Sequence, residues 1–476
     1  QDAAYDSLLK EPKRQFHDQI AEGLQSKFPE VVANTPELLA SHLSRAERFS
    51  EAVDYWKEAG LRAKSASSNQ EAANYFERAL ELLEKEAPSP IRDKRELELQ
   101  APLALAVTAL YGYGAQQTGA VYERAFALSQ NVDSPPEIFQ VMYGLSQNRA
   151  LGDKYGEGLS IARELASYAD QAGDKGGYTV AHRWLGSILL FLPDYELSKV
   201  HCEKAIAAYE ELNSRRLVDE YGHDPKAQAL VILAMVETLR GFPDRAMTLT
   251  DEATTFADTL NFPFVTAYVH WIAAIAFQWL NDREQTHKHA SALLQIAVEK
   301  KIRLFESMAL ILVGWTEHFE NKVESLEKIE SGFTKYELSS FMTILQLNTQ
   351  VDALIRLHQD DRAKETIARA LKMIKQQGCH WTLPELLRLD AVCNLRKNGS
   401  DVVKAEAMFL ESIELAKSQK SKLWELRSAT SLARLWGEGK ERQRAYDLLF
   451  PICDWYTEGF NTFDLKEGKA LLQELH

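Results

Sequence analysis

Histidines, cysteines and carboxylates are the side chains in this sequence that could do chemistry, and their spacing fits no metal site. His287 and His289 come nearest to a chelating pair. Side chains two residues apart on a helix project about 200° from each other, whereas a helical pair that binds one ion needs the i, i+4 spacing. We therefore predict no metal site. Two adjacent pairs have a similar geometric fault: Cys379-His380 and His201-Cys202.

Nucleotide-binding and catalytic motifs are also missing from the sequence. A Walker A loop, G-x-x-x-x-G-K-[ST], and a nucleophile elbow, G-x-S-x-G, do not occur. Gly112, Gly114 and Gly119 have the wrong spacing for a dinucleotide-binding turn, so we predict that they serve an ordinary turn between helices. Carboxylate pairs such as Glu210-Glu211 fit solvated helix faces. We predict that this chain has no catalytic residues and no cofactor.

The composition predicts an ordinary globular protein with an acidic surface. The net charge of −14 over 476 residues disfavours nucleic-acid binding, because phosphate contacts need clustered Lys and Arg. The four cysteines are dispersed without a CxxC pair, which favours buried thiols in a reducing cytosol. The longest apolar stretch, around Trp271 to Leu280, is far shorter than the ~20 residues of a bilayer span. We predict a cytoplasmic protein that binds neither nucleic acid nor membrane.

Helical periodicity runs through the chain from about Pro36. Roughly 20 segments place apolar side chains at i, i+3, i+4 and i+7, and short breaks separate them. The second helix of each pair opens at intervals of 40, 50, 38, 39, 40, 42 and 40 residues. A period near 40 fits two helices and two tight turns, so we predict an all-α, right-handed solenoid of antiparallel helix hairpins. The opening residues are Tyr155, Tyr195, Arg245, Arg283, Lys322, Arg362, Lys404 and Arg444.

Polar residues at the breaks and alanines inside the second helices define the hairpins further. An Asp, Asn or Ser after a break can accept an orphan backbone N–H as an N-cap. Alanines let crossing helices approach closely, and a bulkier residue there would cost about 1–3 kcal/mol. The predicted capping breaks are Pro193-Asp194, Pro243-Asp244, Asn281-Asp282, Asp360-Asp361 and Asn398-Gly399-Ser400. The predicted crossing alanines are Ala246, Ala253, Ala257, Ala363, Ala368, Ala370, Ala405, Ala407 and Ala416.

Two segments near the N-terminus resemble the second-helix pattern of tetratricopeptide repeats. Residues 51–59 read EAVDYWKEA, and residues 71–80 read EAANYFERAL. Later repeats match more loosely, and their period of about 40 exceeds the roughly 34 residues of standard repeats. This longer form resembles the C-terminal sensor solenoids of large bacterial signalling proteins that carry a STAND-type NTPase module.

Further segments sharpen that resemblance. Residues 3–10 (AAYDSLLK) and 14–21 (RQFHDQIA) are similar to the end of a winged-helix element that joins such an NTPase to its repeats. Residues 221–225 (YGHDP), in the one lengthened gap, resemble a YGxDP loop of the family. Residues 455–465 (WYTEGFNTFDL) resemble its closing motif, in which a last helix seals the exposed end. We therefore predict a winged-helix or linker element over residues 1–34 and a repeat domain with a C-terminal capping helix over residues 35–476.

The resemblance covers nearly the whole chain and implies a role in signal transduction. Similar solenoids belong to class III adenylate/guanylate cyclases fused to an NTPase and, more distantly, to LuxR-type regulators. The cyclase and NTPase modules are not in this sequence, and its start at Gln1 instead of Met agrees with a piece of a longer protein. The resemblance implies a non-catalytic sensor that binds a protein or peptide partner, or a small-molecule effector, and regulates an attached NTPase or cyclase.

The predicted binding surface is the concave face of the solenoid, which the first helices of the pairs line. Aromatic and polar side chains there could form a peptide, small-molecule or partner-domain site. Tyr221 and Asp224 could close one side of it, although Asp224-Pro225 could instead cap the following helix. The candidate binding residues are Tyr143, Asn148, Arg183, Trp184, Tyr221, Asp224, His270, Trp271, Trp315 and His318.

A stand-alone assembly or co-chaperone adaptor is the alternative function. Such adaptors hold a peptide terminus in a carboxylate clamp of Lys, Asn and Arg on their first helices. Residues 38–42 (LLASH) offer mostly Leu, His and Ser instead. This composition favours the sensor over the adaptor, and the missing catalytic motifs disfavour an independent enzyme.

Overall fold

The computed structural model describes residues 10–66, 68–132, 137–152, 154–210, 217–218, 221–317, 322–336, 338–396, 401–437 and 441–476. Within these residues the chain forms 24 α-helices and no strand, which confirms the predicted all-α fold. None of these helices is both long and apolar enough to cross a bilayer. Contacts divide the chain after Gly152 into two compact units. The predicted domain boundary at residue 34 stays a prediction.

Eight helices make up the first unit: α1 (Lys10–Lys27), α2 (Pro29–Asn34), α3 (Pro36–Arg45), α4 (Phe49–Ser65), α5 (Asn69–Leu83), α6 (Pro90–Tyr111), α7 (Gln116–Ser129) and α8 (Ile138–Leu151). The two segments that resemble tetratricopeptide repeats lie in α4 and α5, which pack against each other. The two segments begin 20 residues apart, at residues 51 and 71, and this length holds only one helix and its turn. They are therefore consecutive helices and not the second helices of two repeats. Gly60 permits their close approach, since a Cβ there would lie 2.5 Å from Cε1 of Phe76.

In the second unit, the described residues form sixteen helices with assigned bounds. The first eight are α9 (Tyr155–Ala172), α10 (Lys175–Phe191), α11 (Tyr195–Tyr209), α12 (Pro225–Arg240), α13 (Pro243–Leu260), α14 (Pro263–Trp279), α15 (Arg283–Glu299) and α16 (Arg303–Glu317). The last eight are α17 (Lys322–Lys335), α18 (Ser340–Arg356), α19 (Asp360–Gln377), α20 (Leu383–Arg396), α21 (Val402–Ser418), α22 (Lys422–Gly437), α23 (Arg442–Asp454) and α24 (Phe463–Leu475).

The helices of this unit form two layers. The even-numbered helices α10 to α22 pack each against the next and make up the inner layer, and each forms a hairpin with the following odd-numbered helix of the outer layer. In α12, 14 of 16 residues are buried, whereas in α13 only 5 of 18 are buried. An inner helix such as α12 is apolar around its whole circumference and is packed on all sides. An outer helix such as α13 is amphipathic and packs against the inner layer through one face. Each predicted opening residue lies within the first three positions of α9, α11 or a later outer-layer helix, which confirms the repeat period.

The capping predictions are confirmed at two breaks and wrong at two others. The side chains of Asp194 and Asp282 cap α11 and α15 by accepting backbone N–H groups. Asp244 and Asp360 lie inside the first turns of α13 and α19, because those helices begin one or more residues earlier than predicted. Residues 398–400 lie outside the described residues. The next residue, Asp401, caps α21.

The crossing alanines are buried at seven of the nine predicted positions. Ala253 and Ala370, for example, have no exposed surface and lie where an outer helix meets the inner layer. Ala368 and Ala407 are exposed, so the prediction is wrong for these two. Each is two residues from a buried alanine, a spacing that turns a helical side chain to another face.

The second unit also closes on itself through its C-terminal helices. Helix α22 packs against α12, and Oγ of Ser421 donates a hydrogen bond of 3.3 Å to the carbonyl oxygen of Leu239. Ring centroids of Trp279 and Trp424 lie 5.9 Å apart, and those of Trp279 and Trp381 lie 5.3 Å apart. Phe191 packs on Trp381 at 5.4 Å. These four buried rings, the aromatic cluster, fill the inner face of the unit with its own side chains.

Candidate functional site

The C-terminal tail, residues 455–462, binds the first turn of a helix more than 200 residues upstream. Oε1 of Glu458 accepts hydrogen bonds from the backbone N–H groups of Asp244 and Arg245, at 3.0 and 3.1 Å. The backbone N–H of Gly459 donates to Oδ2 of Asp244 at 3.1 Å. The first N–H groups of a helix have no partner within it, so Glu458 supplies the acceptor that we expected from Asp244.

Gly459→Ala is expected to destabilise the protein by about 1–3 kcal/mol more than Gly378→Ala. Both glycines have φ of +74°, which strains any residue with a Cβ. At Gly459 a Cβ would also lie 2.2 Å from Cγ of Pro243, whereas no heavy atom lies within 4 Å of it at Gly378. Urea unfolding of the two variants measures the difference. Equal losses would show that the tail does not contact the start of α13.

Beside the tail, buried charges join the last two inner helices, α20 and α22, to the C-terminal helix α24. The guanidinium of Arg427 donates to both carboxylate oxygens of Asp464, to Oε1 of Glu385, each at 3.0 Å, and to the carbonyl oxygen of Trp279. Arg388 makes a bidentate pair with Glu385, at 2.7 and 2.8 Å. Burial raises the pKa of Asp464, and the charge of Arg427 offsets part of that rise. Arg427 thus joins residues of α14, α20 and α24.

The same network continues to α18 and α16. Asn281 donates to Asp464 at 3.1 Å and accepts a hydrogen bond of 2.6 Å from Nη2 of Arg356. Asp352 accepts hydrogen bonds from Arg356 and from the indole N–H of Trp315, at 2.7 and 2.6 Å. Burial acts to raise the pKa of Asp352, but the Arg356 charge and these hydrogen bonds lower it overall. We call this set of buried groups the charge network.

An open cleft of about 440 Å³ lies against the charge network, and five arginines line it. Besides the arginines, the lining contains three carboxylates and a group of aliphatic and aromatic side chains. Ligand pockets in proteins typically have a volume of roughly 300–1,000 Å³ and combine apolar walls with a few polar groups. We call it the arginine cleft, and its arginines are Arg356, Arg388, Arg396, Arg427 and Arg434.

The candidate binding residues of the first unit have structural partners. Tyr143 is buried on α8. Asn148, also buried, donates hydrogen bonds to the carbonyl oxygens of Tyr113 and Ala115, at 2.7 and 3.0 Å. Asn148 thereby stabilises the turn after α6, where Gly112 has a φ of +92°. The expectation that the glycines serve a turn is confirmed for Gly112 and wrong for Gly119, which lies inside α7.

The YGHDP loop is built into the start of α12. Asp224 is fully buried, accepts a hydrogen bond from the backbone N–H of Ala227 at 2.8 Å, and is bound by the hydroxyl of Tyr209. Of the two roles considered for Asp224, this contact establishes the helix cap. The next residue back, His223, contacts the buried Arg183 at 2.8 Å and the carbonyl oxygen of Tyr221 at 2.8 Å. Burial and the Arg183 charge hold the pKa of His223 well below its usual value.

The remaining candidates are dispersed along the inner layer. Trp184 and Trp271 are 6% and 4% exposed and pack among inner helices, so neither lines an open groove. His270 pairs with His289 on the outer helix of its own hairpin. Trp315 alone among them joins the charge network, through Asp352. His318 lies outside the described residues. A binding role for the candidates stays a prediction.

Paired histidines, which the sequence analysis did not predict, recur in the structure. His182 and His201 approach through their Nδ1 atoms at 2.7 Å, and His270 and His289 do so at 2.9 Å. Both pairs are 19 residues apart and join an inner helix to its outer partner. His287 points instead to Thr316, so the two members of the nearest chelating pair diverge. Burial, followed by the charge of the partner histidine, lowers the pKa of His201 to about 4 and that of His289 to about 3.

The free energy of unfolding is expected to fall as the pH decreases from about 6.5 to 4. Unfolded histidines take up protons in this range, whereas the folded His201 and His289 do not, which favours the unfolded state by up to about 1 kcal/mol per pH unit for each group. Urea midpoints measured between pH 7 and 4 report this slope. The double substitution His201→Gln with His289→Gln is expected to flatten it, and the exposed control His380→Gln is not. An unchanged slope in the double variant would contradict the pKa assignments.

Sequence reasoning missed the arginines of the cleft. Four of the five occur in two pairs with helical spacing, Arg388 with Arg396 and Arg427 with Arg434, which are eight and seven residues apart. Such spacing places both members of a pair on one face of a helix. That signal was present, but nothing in the sequence places α18, α20, α22 and α24 around one cleft.

Comparisons with known proteins give distant matches only. No family model matches the chain. An uncharacterized protein of Rhizobium meliloti (strain 1021) is 20% identical over 430 residues, which cover 88% of this chain and 41% of that protein. The chain thus spans about two fifths of the length of the curated relative that it matches.

Solved structures of helical-repeat proteins also align with the chain. A Rap protein complexed with Competence and Sporulation Factor aligns over 89% of this chain and 99% of its own, with a TM-score of 0.46 and 11% identity. A human IFIT1 dimer with m7Gppp-AAAA aligns over 98% and 96%, with a TM-score of 0.46 and 14% identity. A STAND protein with a tetratricopeptide repeat sensor from Pyrococcus horikoshii aligns over 85% and 54%, with a TM-score of 0.34 and 13% identity. Scores of this size carry no conclusion about function.

Proposed function

We propose that this chain is a non-catalytic sensor and protein-interaction scaffold that regulates an NTPase or nucleotide cyclase attached to it. The observation that carries the proposal is the closure of the second unit, in which Glu458 and Gly459 bind Asp244 and Arg245. In this proposal the second unit has two arrangements: the closed one, and an open one in which the tail has left the start of α13. The greater length of the Rhizobium relative agrees with attached modules.

The mechanism is a shift of population between these arrangements. A ligand or partner that contacts α18, α20, α22 and α24 together binds the closed form more tightly than the open form. A ligand shifts such an equilibrium only by the difference between its affinities for the two states. The charge network carries the effect, because Arg427 contacts both Asp464, at the start of α24, and Trp279, at the end of α14.

The test uses the gene product that contains this chain together with its attached modules. Glu458→Ala removes the acceptor for the start of α13 and is expected to change basal nucleotide turnover several-fold. The matched control Glu411→Ala, at an exposed position of the outer layer, is expected to leave turnover unchanged. Equal turnover in both variants, or a gene product without nucleotide turnover, would contradict the proposal.

A second candidate, a peptide-binding adaptor, is favoured by one feature of the first unit. A shallow groove of about 420 Å³ there is lined by Trp56, Tyr75 and Arg78 among others. The rings of Trp56 and Tyr75 stack at 5.4 Å, and the guanidinium of Arg78 lies 5.0 Å from the Trp56 ring. Two results together would favour the adaptor. One is a peptide partner that binds the wild type and is lost in Arg78→Gln, and the other is nucleotide turnover that Glu458→Ala leaves unchanged.

A further inference from the structure

The arginine cleft has hydrogen-bond donors in excess of the acceptors around it. Five arginines line it against three carboxylates, Asp352, Asp464 and Glu467, in a protein whose net charge is −14. Glu385 lies behind the lining, with 3% of its side chain exposed, and binds Arg388 and Arg427 from that side. Asp360 pairs with Arg396 at 3.3 Å, so five carboxylates in all balance the five arginines. The excess therefore lies in guanidinium N–H groups that can donate to an anion, and not in net charge.

The donors that remain available belong to four of the arginines. Among the described residues, Nη1 of Arg356 and Nε and Nη1 of Arg434 donate no hydrogen bond. Nη1 of Arg388 reaches only Ser431, at 3.4 Å, and Arg396 uses Nη1 alone. Arg427, by contrast, uses all three of its nitrogens. The planar guanidinium presents its donors in a fork that fits carboxylate and phosphate oxygens.

The other polar groups of the lining do not compete for this role. The hydroxyls of Thr430 and Ser431 donate to the helix carbonyl oxygens of Leu426 and Arg427, at 2.8 and 3.0 Å. Guanidinium groups are therefore the donors that face the cleft. Asn281 is engaged with Asp464 and Arg356. The rest of the wall is apolar and comprises Ile355, Leu389, Val392, Leu395, Phe409, Leu435 and Phe463.

We propose that the arginine cleft binds a small organic oxyanion, a phosphate ester or carboxylate of metabolite size. The oxyanion end lies among the free donors of Arg356, Arg388, Arg396 and Arg434, and the apolar wall covers the body of the molecule. The volume of about 440 Å³ suits such a ligand. This site would supply the effector of the proposed sensor, and its regulatory role rests on that proposed function. Because α18, α20, α22 and α24 all contribute to the lining, the ligand stabilises the closed arrangement.

The test measures binding to the whole chain by thermal shift and calorimetry. The probes are inorganic phosphate, a nucleoside 5′-monophosphate, succinate and an acetylated peptide with a free C-terminal carboxylate, each against sodium chloride of equal ionic strength. At about 100 times its Kd, a ligand of the folded state is expected to raise Tm by about 3–5 °C. The monophosphate and succinate arms distinguish a phosphate ester from a carboxylate. Binding of the peptide alone would overturn the metabolite assignment.

Three variants locate the site. Arg396→Gln and Arg434→Gln, which are partly exposed and lie at the rim of the network, are expected to weaken binding at least tenfold. Arg369→Gln, at an exposed position of α19, is the control and is expected to bind as the wild type does. Each variant's Tm without ligand verifies that it folds. No stabilisation by any probe beyond that of salt, or equal binding by all three variants, would overturn the proposal.

The outcomes for this site and for the proposed function are separable. Binding that is lost in Arg434→Gln, together with unchanged nucleotide turnover when the probe is added to the gene product, supports the site and contradicts the sensor. Turnover that responds to Glu458→Ala without any anion binding supports the sensor and overturns the site.

Discussion

Arg427→Met is expected to lower the free energy of unfolding by about 3–5 kcal/mol. The methionine removes a cation that pairs with both Asp464 and Glu385, whose side chains are 7% and 3% exposed. The two buried carboxylates then lose part of the positive charge that balances them. Leaving a buried charge without its partner destabilises a protein by more than the intact ion pair stabilises it. Urea unfolding of the whole chain measures the loss.

The control for this prediction lies two turns away on the same helix. Arg434 pairs with Glu467, but 47% and 37% of their side chains are exposed. Arg434→Met is therefore expected to cost less than about 1 kcal/mol, as exposed ion pairs do. Similar losses in the two variants would mean that Arg427 is not buried in the charge network.

Trp279→Ala is expected to destabilise the protein by about 3–5 kcal/mol. Trp279 is 1% exposed and contacts Trp381 and Trp424, so its removal leaves a cavity in the aromatic cluster. Urea unfolding followed by circular dichroism measures the loss, because the substitution also changes tryptophan fluorescence. Trp455→Ala, at a position that is 38% exposed, is the control and is expected to cost less. A smaller loss in Trp279→Ala than in the control would contradict the burial of this ring.

The hairpin architecture of the second unit could be predicted from the sequence because it depends on local patterns. Apolar spacing and the breaks at Asp194 and Asp282 depend on residues within a few turns of one another. The period of about 40 residues then follows from the length of two helices. At Asp244 and Asp360 the prediction was wrong by one or two residues, the usual scale of error for helix ends.

The closure and the cleft could not be predicted, because their contacts join distant parts of the chain. Asp244 meets Glu458 across 214 residues, and Trp279 meets Arg427 across 148. No spacing rule connects such positions, since the small rotation between successive hairpins decides where they meet. Trp184 and Trp271, which were expected to line a concave groove, are buried instead.

A double-mutant cycle between Trp279 and Trp424 tests the closure of the second unit most directly. Their ring centroids are 5.9 Å apart although 145 positions separate them in the sequence. If the unit is closed, the two alanine substitutions are expected to be non-additive, with a coupling energy of about 0.5–1.5 kcal/mol. Losses that add to within about 0.3 kcal/mol would show that the rings do not meet in solution and would contradict the closed unit.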